Sequence, residues 1–269
     1  MDKNHWLPTS RLKAFGLIVA ILLLMLVTQG FASIAALIGQ AHGQLDAFDH
    51  FTLEHLDTVL YGRWLLVAFL LNITLLWMLR LAQPNFLMPW RQWQTPRWPL
   101  SIVGSLALAI GISVLFTPFN LSDSGTTDLF TGIAHQPCGV LALCVFGPIS
   151  EEMAFRDGIL RHLIRGGMGR AWAVVLSGLV FGLVHGNMMQ AMPACLLGIV
   201  LGIIYLHTGD IRYTVVVHIL NNSLSTALML YPEIDGFIAK LPTWSLITAG
   251  CVICAIGIGV LIQWKRPRA

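Results

Sequence analysis

Seven or eight stretches of this chain are apolar over about the length a helix needs to cross a bilayer, and this repetition narrows the fold more than any single motif. They lie near 14–38, 58–82, 99–118, 137–157, 171–187, 190–207, 213–231 and 243–263, the fifth and sixth being short. A hydrocarbon core of roughly 30 Å takes about 20 helical residues. Only 11% of the 269 residues are charged, against roughly 25% in a soluble domain, and the mean hydropathy is +0.75. The expected fold is therefore all-α: a polytopic membrane protein of about eight transmembrane helices, with a polar site inside the helix bundle.

Lys and Arg set the expected orientation, because cytoplasmic loops carry the excess of positive charge. Lys3, Arg11 and Lys13 precede the first span, and Arg80, Arg91 and Arg97 separate the second from the third. Arg156, Arg161, Arg165 and Arg170 lie between the fourth and fifth, and Arg212 between the sixth and seventh. Lys265, Arg266 and Arg268 follow the last. The alternate connections carry only Arg63 and Lys240 beside acids such as Asp46, Asp49, Glu54, Asp123 and Asp128. Eight spans with both termini cytoplasmic satisfy this alternation. The formal charge of +3 is small and scattered, which argues against nucleic acid as a partner. The lipid bilayer is the partner that composition implies.

The first apolar run follows basic residues and precedes Phe31-Ala32-Ser33-Ile34-Ala35-Ala36, but it is longer than the 7–15 residues usual in a cleaved signal, so retention is expected. Cys138, Cys144, Cys195, Cys251 and Cys254 all fall in expected spans, and an odd number of buried cysteines does not make a disulfide framework. Cys251-x-x-Cys254 has redox or metal spacing, yet on a membrane helix it reads as packing or lipid-facing thiols. The 82–99 connection, with Pro84, Pro89, Pro96, Pro99, Trp90, Trp93 and Trp98, reads as an interfacial anchor. His42, His50 and His55 belong to a solvated loop, and His162 and His207 to the cytoplasmic interface. Three parts are expected: 1–136 with three plain spans, 137–231 with four polar-bearing spans, and 232–269 with the last span and a basic tail.

Within 137–231 three clusters interrupt the apolar pattern: Glu151-Glu152-x-x-x-Arg156, Phe181-x-x-x-His185 and His218-x-x-x-Asn222. An ionisable group near the centre of a membrane helix costs about 2.5–3.5 kcal/mol on insertion scales, so such groups pair or function. Neighbouring residues diverge by about 100° around a helix, so Glu151 and Glu152 are not expected to face one point. Glu152 and Arg156, four apart, suit a structural ion pair, which leaves Glu151 as the free carboxylate. Pro148 is expected to leave a carbonyl unpaired, tolerated only against protein or a wet cavity. His185 can reach the depth of Glu151 in an antiparallel helix pair, and His218 and Asn222 share a helix face. Gly178-x-x-x-Gly182 and Gly198-x-x-x-Gly202 permit close helix approach. Singly, each polar group has a plain reading: a packing histidine, a proton path, an interhelical amide. Together, in successive helices, they suffice for a hydrolytic site.

Glu151-Glu152-Met153-Ala154-Phe155-Arg156, Phe181-Gly182-Leu183-Val184-His185 and His218-Ile219-Leu220-Asn221-Asn222 resemble the three successive motifs of the CAAX-protease and bacteriocin-processing (CPBP, or Abi) family of intramembrane proteases. The segment 198–210 also resembles that family, and the likeness covers about 137–225. It implies that Glu151 is the general base on a water, that His185 holds or polarises this water, and that His218 and Asn222 stabilise the oxyanion. It implies supporting roles for Glu152, Arg156 and Phe181. A carboxylate in a low-dielectric pocket suits general-base work, and a donor aimed at a developing oxyanion is worth about 2.7–4 kcal/mol.

The family is also described as metalloproteases. The chain has no His-Glu-x-x-His, and Asn222 suits an oxyanion better than zinc. A cofactor-free glutamate mechanism is favoured, while Glu151, His185 and His218 stay open as a His₂Glu zinc set. The expected activity is endoproteolysis of a membrane-associated peptide or protein, with bacteriocin or pheromone maturation, or immunity, suited to a bacterial plasma membrane. The alternatives are a non-catalytic scaffold or immunity protein that binds a regulatory membrane partner, and a proton-coupled transporter. The lack of an inverted repeat weighs against the last.

Overall fold

Helix formation here follows from the bilayer requirement that each backbone polar group be satisfied locally, and among the described residues every regular element is helical. The computed structural model describes residues 8–40, 57–84, 86, 98–119, 121–238 and 240–265. The loop histidines His42, His50 and His55, the tryptophans Trp90 and Trp93, and the terminal charges Lys3, Arg266 and Arg268 lie outside them. In order, the elements are α1 (Arg11–Gln40), α2 (Thr58–Met78), α3 (Trp98–Phe116, followed by a 3-10 turn), α4 (Thr126–Ala134) and α5 (Pro137–Arg165). They continue as α6 (Arg170–Leu183), α7 (Met188–Thr208), α8 (Ile211–Met229), α9 (Pro232–Ile238) and α10 (Thr243–Lys265).

Six of these, α1, α2, α3, α5, α7 and α10, are long and apolar enough to cross a membrane. The chain is thus a polytopic helical membrane protein in its architecture. The other two expected spans correspond to α6, which has 14 residues, and to α8, whose polar residues include Arg212, His218, Asn221 and Asn222. Large apolar side chains such as Leu23, Leu26, Ile256 and Ile258 point outward, as a lipid-facing surface requires.

At the centre stands α5. Its Met153, Phe155, Ile159 and Leu160 pack against Ile21 and Met25 of α1, Leu76 of α2, Val174 and Phe181 of α6, and Ile211 of α8. All of 153–160 is buried. Glycines set the closest helix approaches. A Cβ on Gly182 would lie 2.4 Å from Ala191 O, and one on Gly198 would lie 3.0 Å from Gly178 Cα. The two small-residue motifs therefore bring α6 and α7 together as their spacing predicts, with Gly202 more loosely against Val174 and Leu160. A second seam joins α3 and α10 through Gly104, Gly111, Gly250 and Gly257. A Cβ on Gly111 would meet Cys254 at 2.6 Å, so Cys254 is a packing thiol and Cys251 is exposed.

Two stretches of α5, 142–146 and 153–160, are π-helical. In the first, Gly147 N–H reaches back five residues to Ala142 O. Pro148 has no N–H with which to carry that register on to Leu143 O. The expected orphan carbonyl is thus placed at Leu143, and Asn222 Nδ2 of α8 donates to it at 3.1 Å.

Where α5 nears its end, a second buried polar cluster ties the bundle together. Asp157 accepts from Tyr205 OH (2.8 Å) and Arg161 Nη1 (3.2 Å), and from the backbone N–H of Gln83. Asp210 pairs with Arg212 at 2.6 Å. His162, expected near the cytoplasmic interface, is buried within the protein, with Nε2 3.0 Å from Leu81 O. Arg161 and Arg212, counted among the basic residues between spans, are both buried in ion pairs. The partner acids stand beside them in sequence, so burial cancels charge locally, as it must in a low dielectric.

Candidate active site

The three clusters come together between α5, α6 and α8. Glu151 and Glu152 end the ordinary α-helical turn Gly147–Glu152 and lead into the wider π stretch. Next to them, Ser150 is buried and takes a hydrogen bond from Asn72 Nδ2 of α2 at 2.8 Å. This fixes the rotation of α5 at the point where the carboxylates leave it.

Glu152 makes the expected ion pair with Arg156, Oε2 to Nε at 3.1 Å, and neither side chain is exposed. Its other oxygen, Oε1, lies 2.9 Å from Nδ1 of the buried His218. Glu151 is partly open, with 17% side-chain exposure, and its Oε2 lies 3.6 Å from His218 Nε2. The two carboxylates diverge around the helix as expected, yet both reach His218, each addressing a different nitrogen of the one ring.

Phe181 is the packing hub. Its ring centroid lies 5.2 Å from that of His185, 5.6 Å from that of His218 and 5.1 Å from that of Phe155, each edge-on. The Arg156 guanidinium carbon sits 4.6 Å from the same centroid, a cation–π placement suited to a charge without water. Helix α6 ends at Leu183, two residues after Phe181, so His185 falls in the following turn, where its Nδ1 donates to Phe181 O at 2.8 Å. With Nδ1 a donor, Nε2 of the neutral ring is a bare acceptor. Gly186, at φ +74°, adopts the left-handed backbone that glycine accepts without strain, and Asn187 then caps α7 by accepting from Gln190 N–H.

Asn222 sits one helical turn beyond His218. Its Nδ2 serves Leu143 O, while its Oδ1 accepts from Asn221 Nδ2 at 3.3 Å. One of the two amide N–H groups remains for other work. Asn222 is thus an interhelical tie and a free donor at once.

Among the described residues no three His, Cys, Asp or Glu side chains stand close enough to hold a metal ion. His218 engages Glu152 and His185 engages Phe181 O through Nδ1, which leaves Nε2 of both rings turned to other partners, the arrangement that a histidine ligand or a histidine acceptor shares.

Sequence reasoning missed the Glu152–His218 contact and the whole Asp157 cluster. The second carried a signal: Asp157 stands four residues before Arg161 in an apolar stretch, the spacing already recognised in Glu152 and Arg156. The first carried none, since it depends on how α8 docks on α5.

No curated protein matches the chain, and no solved structure does. A family model does match. Residues 133–224, which hold all three clusters, match the protease family described as Type II CAAX prenyl endopeptidase Rce1-like, consistent with the CPBP/CAAX protease family that the motifs resemble.

Proposed function

We propose that the protein is an intramembrane endopeptidase of the glutamate type. The observation that carries this reading is Glu151: a half-sheltered carboxylate 3.6 Å from a buried histidine, inside the segment that matches a protease family. Glu151 takes a proton from a water that the bare Nε2 of His185 helps to orient. The water oxygen bonds to the scissile carbonyl carbon, and its oxygen becomes an oxyanion stabilised by His218 and by the remaining N–H of Asn222. When the C–N bond breaks, the proton returns to the leaving amine. Arg156 and Phe181 support this constellation from the buried side. Substrates are membrane-associated peptides or proteins, reached from the bilayer or its cytoplasmic face, in a plasma membrane with both termini cytoplasmic.

The test compares new protein termini, by mass spectrometry, in cells expressing wild type or Glu151→Ala at equal membrane levels. Termini present only with wild type support the proposal and identify the substrate and the bond. Identical termini, with the variant still sustaining the host phenotype, would overturn it in favour of a scaffold.

A further inference from the structure

Four ionisable side chains stand in one line. Arg156 Nε is 3.1 Å from Glu152 Oε2, Glu152 Oε1 is 2.9 Å from His218 Nδ1, and His218 Nε2 is 3.6 Å from Glu151 Oε2. Arg156, Glu152 and His218 are buried; Glu151, at the open end, is only partly so. An ionised carboxylate can only accept a hydrogen bond, and the guanidinium on its far side favours the ionised form. The proton at this contact therefore belongs to Nδ1 of the imidazole. Which nitrogen of a histidine is free is set by the bond the other one makes, so Nε2 is the atom left facing Glu151 and the open end of the site.

We infer that Glu152 is a positioning residue for His218: by holding Nδ1–H it reserves Nε2 for the reaction and supplies the counter-charge for the imidazolium. The inference rests on the protease reading above. An Nε2 without a proton cannot donate to an oxyanion. His218 does so only once it has accepted one, and Glu151 is its neighbour on that side. The proton taken from water by Glu151 passes to His218 Nε2 as the C–O bond forms. The imidazolium N–H then stabilises the oxyanion and gives that proton to the leaving nitrogen as the C–N bond breaks. One water is consumed, one carboxyl and one amine are formed, and His218 and Glu151 end as they began. Arg156 makes the arrangement electrically possible: with Glu151 and Glu152 ionised, Arg156 and an imidazolium balance them. Glu152 thus does more than brace the helix with Arg156.

The decisive measurement is ¹⁵N NMR of the full chain in bilayers, with histidine selectively labelled and the His218 signals assigned by their loss in His218→Gln. Wild type is expected to show Nδ1 protonated. Glu152→Gln is expected to shift the Nδ1 signal or move the proton to Nε2, and Glu152→Asp to keep Nδ1 protonated. Cleavage, read as the yield of new termini, is expected to fall on the order of 10²–10⁴-fold in Glu152→Gln and to recover in part in Glu152→Asp. A bare Nδ1 in wild type overturns the inference, and this reading needs no variant at position 152 to fold. Full cleavage by Glu152→Gln at normal thermal stability overturns it as well, while leaving the protease reading intact. Identical termini from wild type and Glu151→Ala would instead remove the protease reading and the proton path with it.

Discussion

Arg156 puts a positive charge where no part of its side chain reaches solvent, and its two terminal nitrogens, Nη1 and Nη2, have no hydrogen-bond partner among the described residues. Its neighbours are the Glu152 carboxylate and the face of Phe181. Breaking one side of such a buried pair costs about 3–5 kcal/mol, whereas replacing both sides by apolar groups is often close to neutral. Arg156→Met is therefore expected to lower thermal stability in detergent sharply. Arg156→Met/Glu152→Met is expected to regain part of that loss, since it also leaves His218 Nδ1–H without its acceptor, and to cleave nothing. A double variant no more stable than the single one would show that the charge pair is not what Arg156 balances. Asn222 allows a second test at this scale. Removing its amide leaves Leu143 O without its donor, at about 1–3 kcal/mol. In a Pro148→Ala background the restored N–H can take that place, so Asn222→Ala is expected to cost less there; equal costs in thermal unfolding would contradict the assignment. Much of this scale was legible in the sequence. The Glu152–Arg156 pair follows from its spacing, and Pro148 announces an orphan carbonyl. Neither could say that Asn222 would serve the carbonyl or that His218 would bridge both glutamates, because those contacts exist only once α8 has docked on α5.

Helix contacts in this bundle are set by missing side chains as much as by those present. At Gly182 an added Cβ would meet Cys195 Sγ at 2.1 Å and backbone at 2.4 Å, and backbone cannot step aside. Gly182→Leu is expected to push α6 off α7, to displace His185 three residues on, and to cost at least the 1–3 kcal/mol typical of overpacking. Gly30→Leu, with nothing within 4 Å, serves as the control and is expected to unfold at the wild-type temperature. Thermal unfolding in detergent compares the two; equal losses would mean that the seam is not tight at Gly182. The α6–α7 seam was readable from its Gly-x-x-x-Gly spacings. The α3–α10 seam, built on the wider spacing of Gly104 and Gly111 against Gly250 and Gly257, is just as tight and was not singled out. The π stretches of α5 escaped as well: Gly158 within 153–160 weakens a helix without specifying a wider register.

For the whole molecule the question is which ends of the helices share a side. Thr9 N–H bonds to Arg165 O, joining the start of α1 to the turn between α5 and α6. Met189 N–H bonds to Ser122 O, joining the start of α7 to the turn before α4. These contacts mark two opposite layers, and α6 runs from the first to the second. It does so in 14 residues, about 21 Å at 1.5 Å per residue, which is short of a full hydrocarbon core. The sequence marks 171–187 as a short span against the usual roughly 20 residues; the structure ends the helix at Leu183, where Phe181 is buried while Leu183 and Val184 are exposed. Single cysteines placed in a background without the five native ones read this arrangement directly. Ser10→Cys and Gly167→Cys are expected to react with a membrane-impermeant maleimide from one side of sealed vesicles, and Ser124→Cys from the other. If both termini are cytoplasmic, the first two label only in inside-out vesicles. Labelling of Gly167→Cys and Ser124→Cys from the same side would mean that α5, which lies between them, does not cross, and that α6, whose far end is tied to Ser122 through Met189, does not cross either.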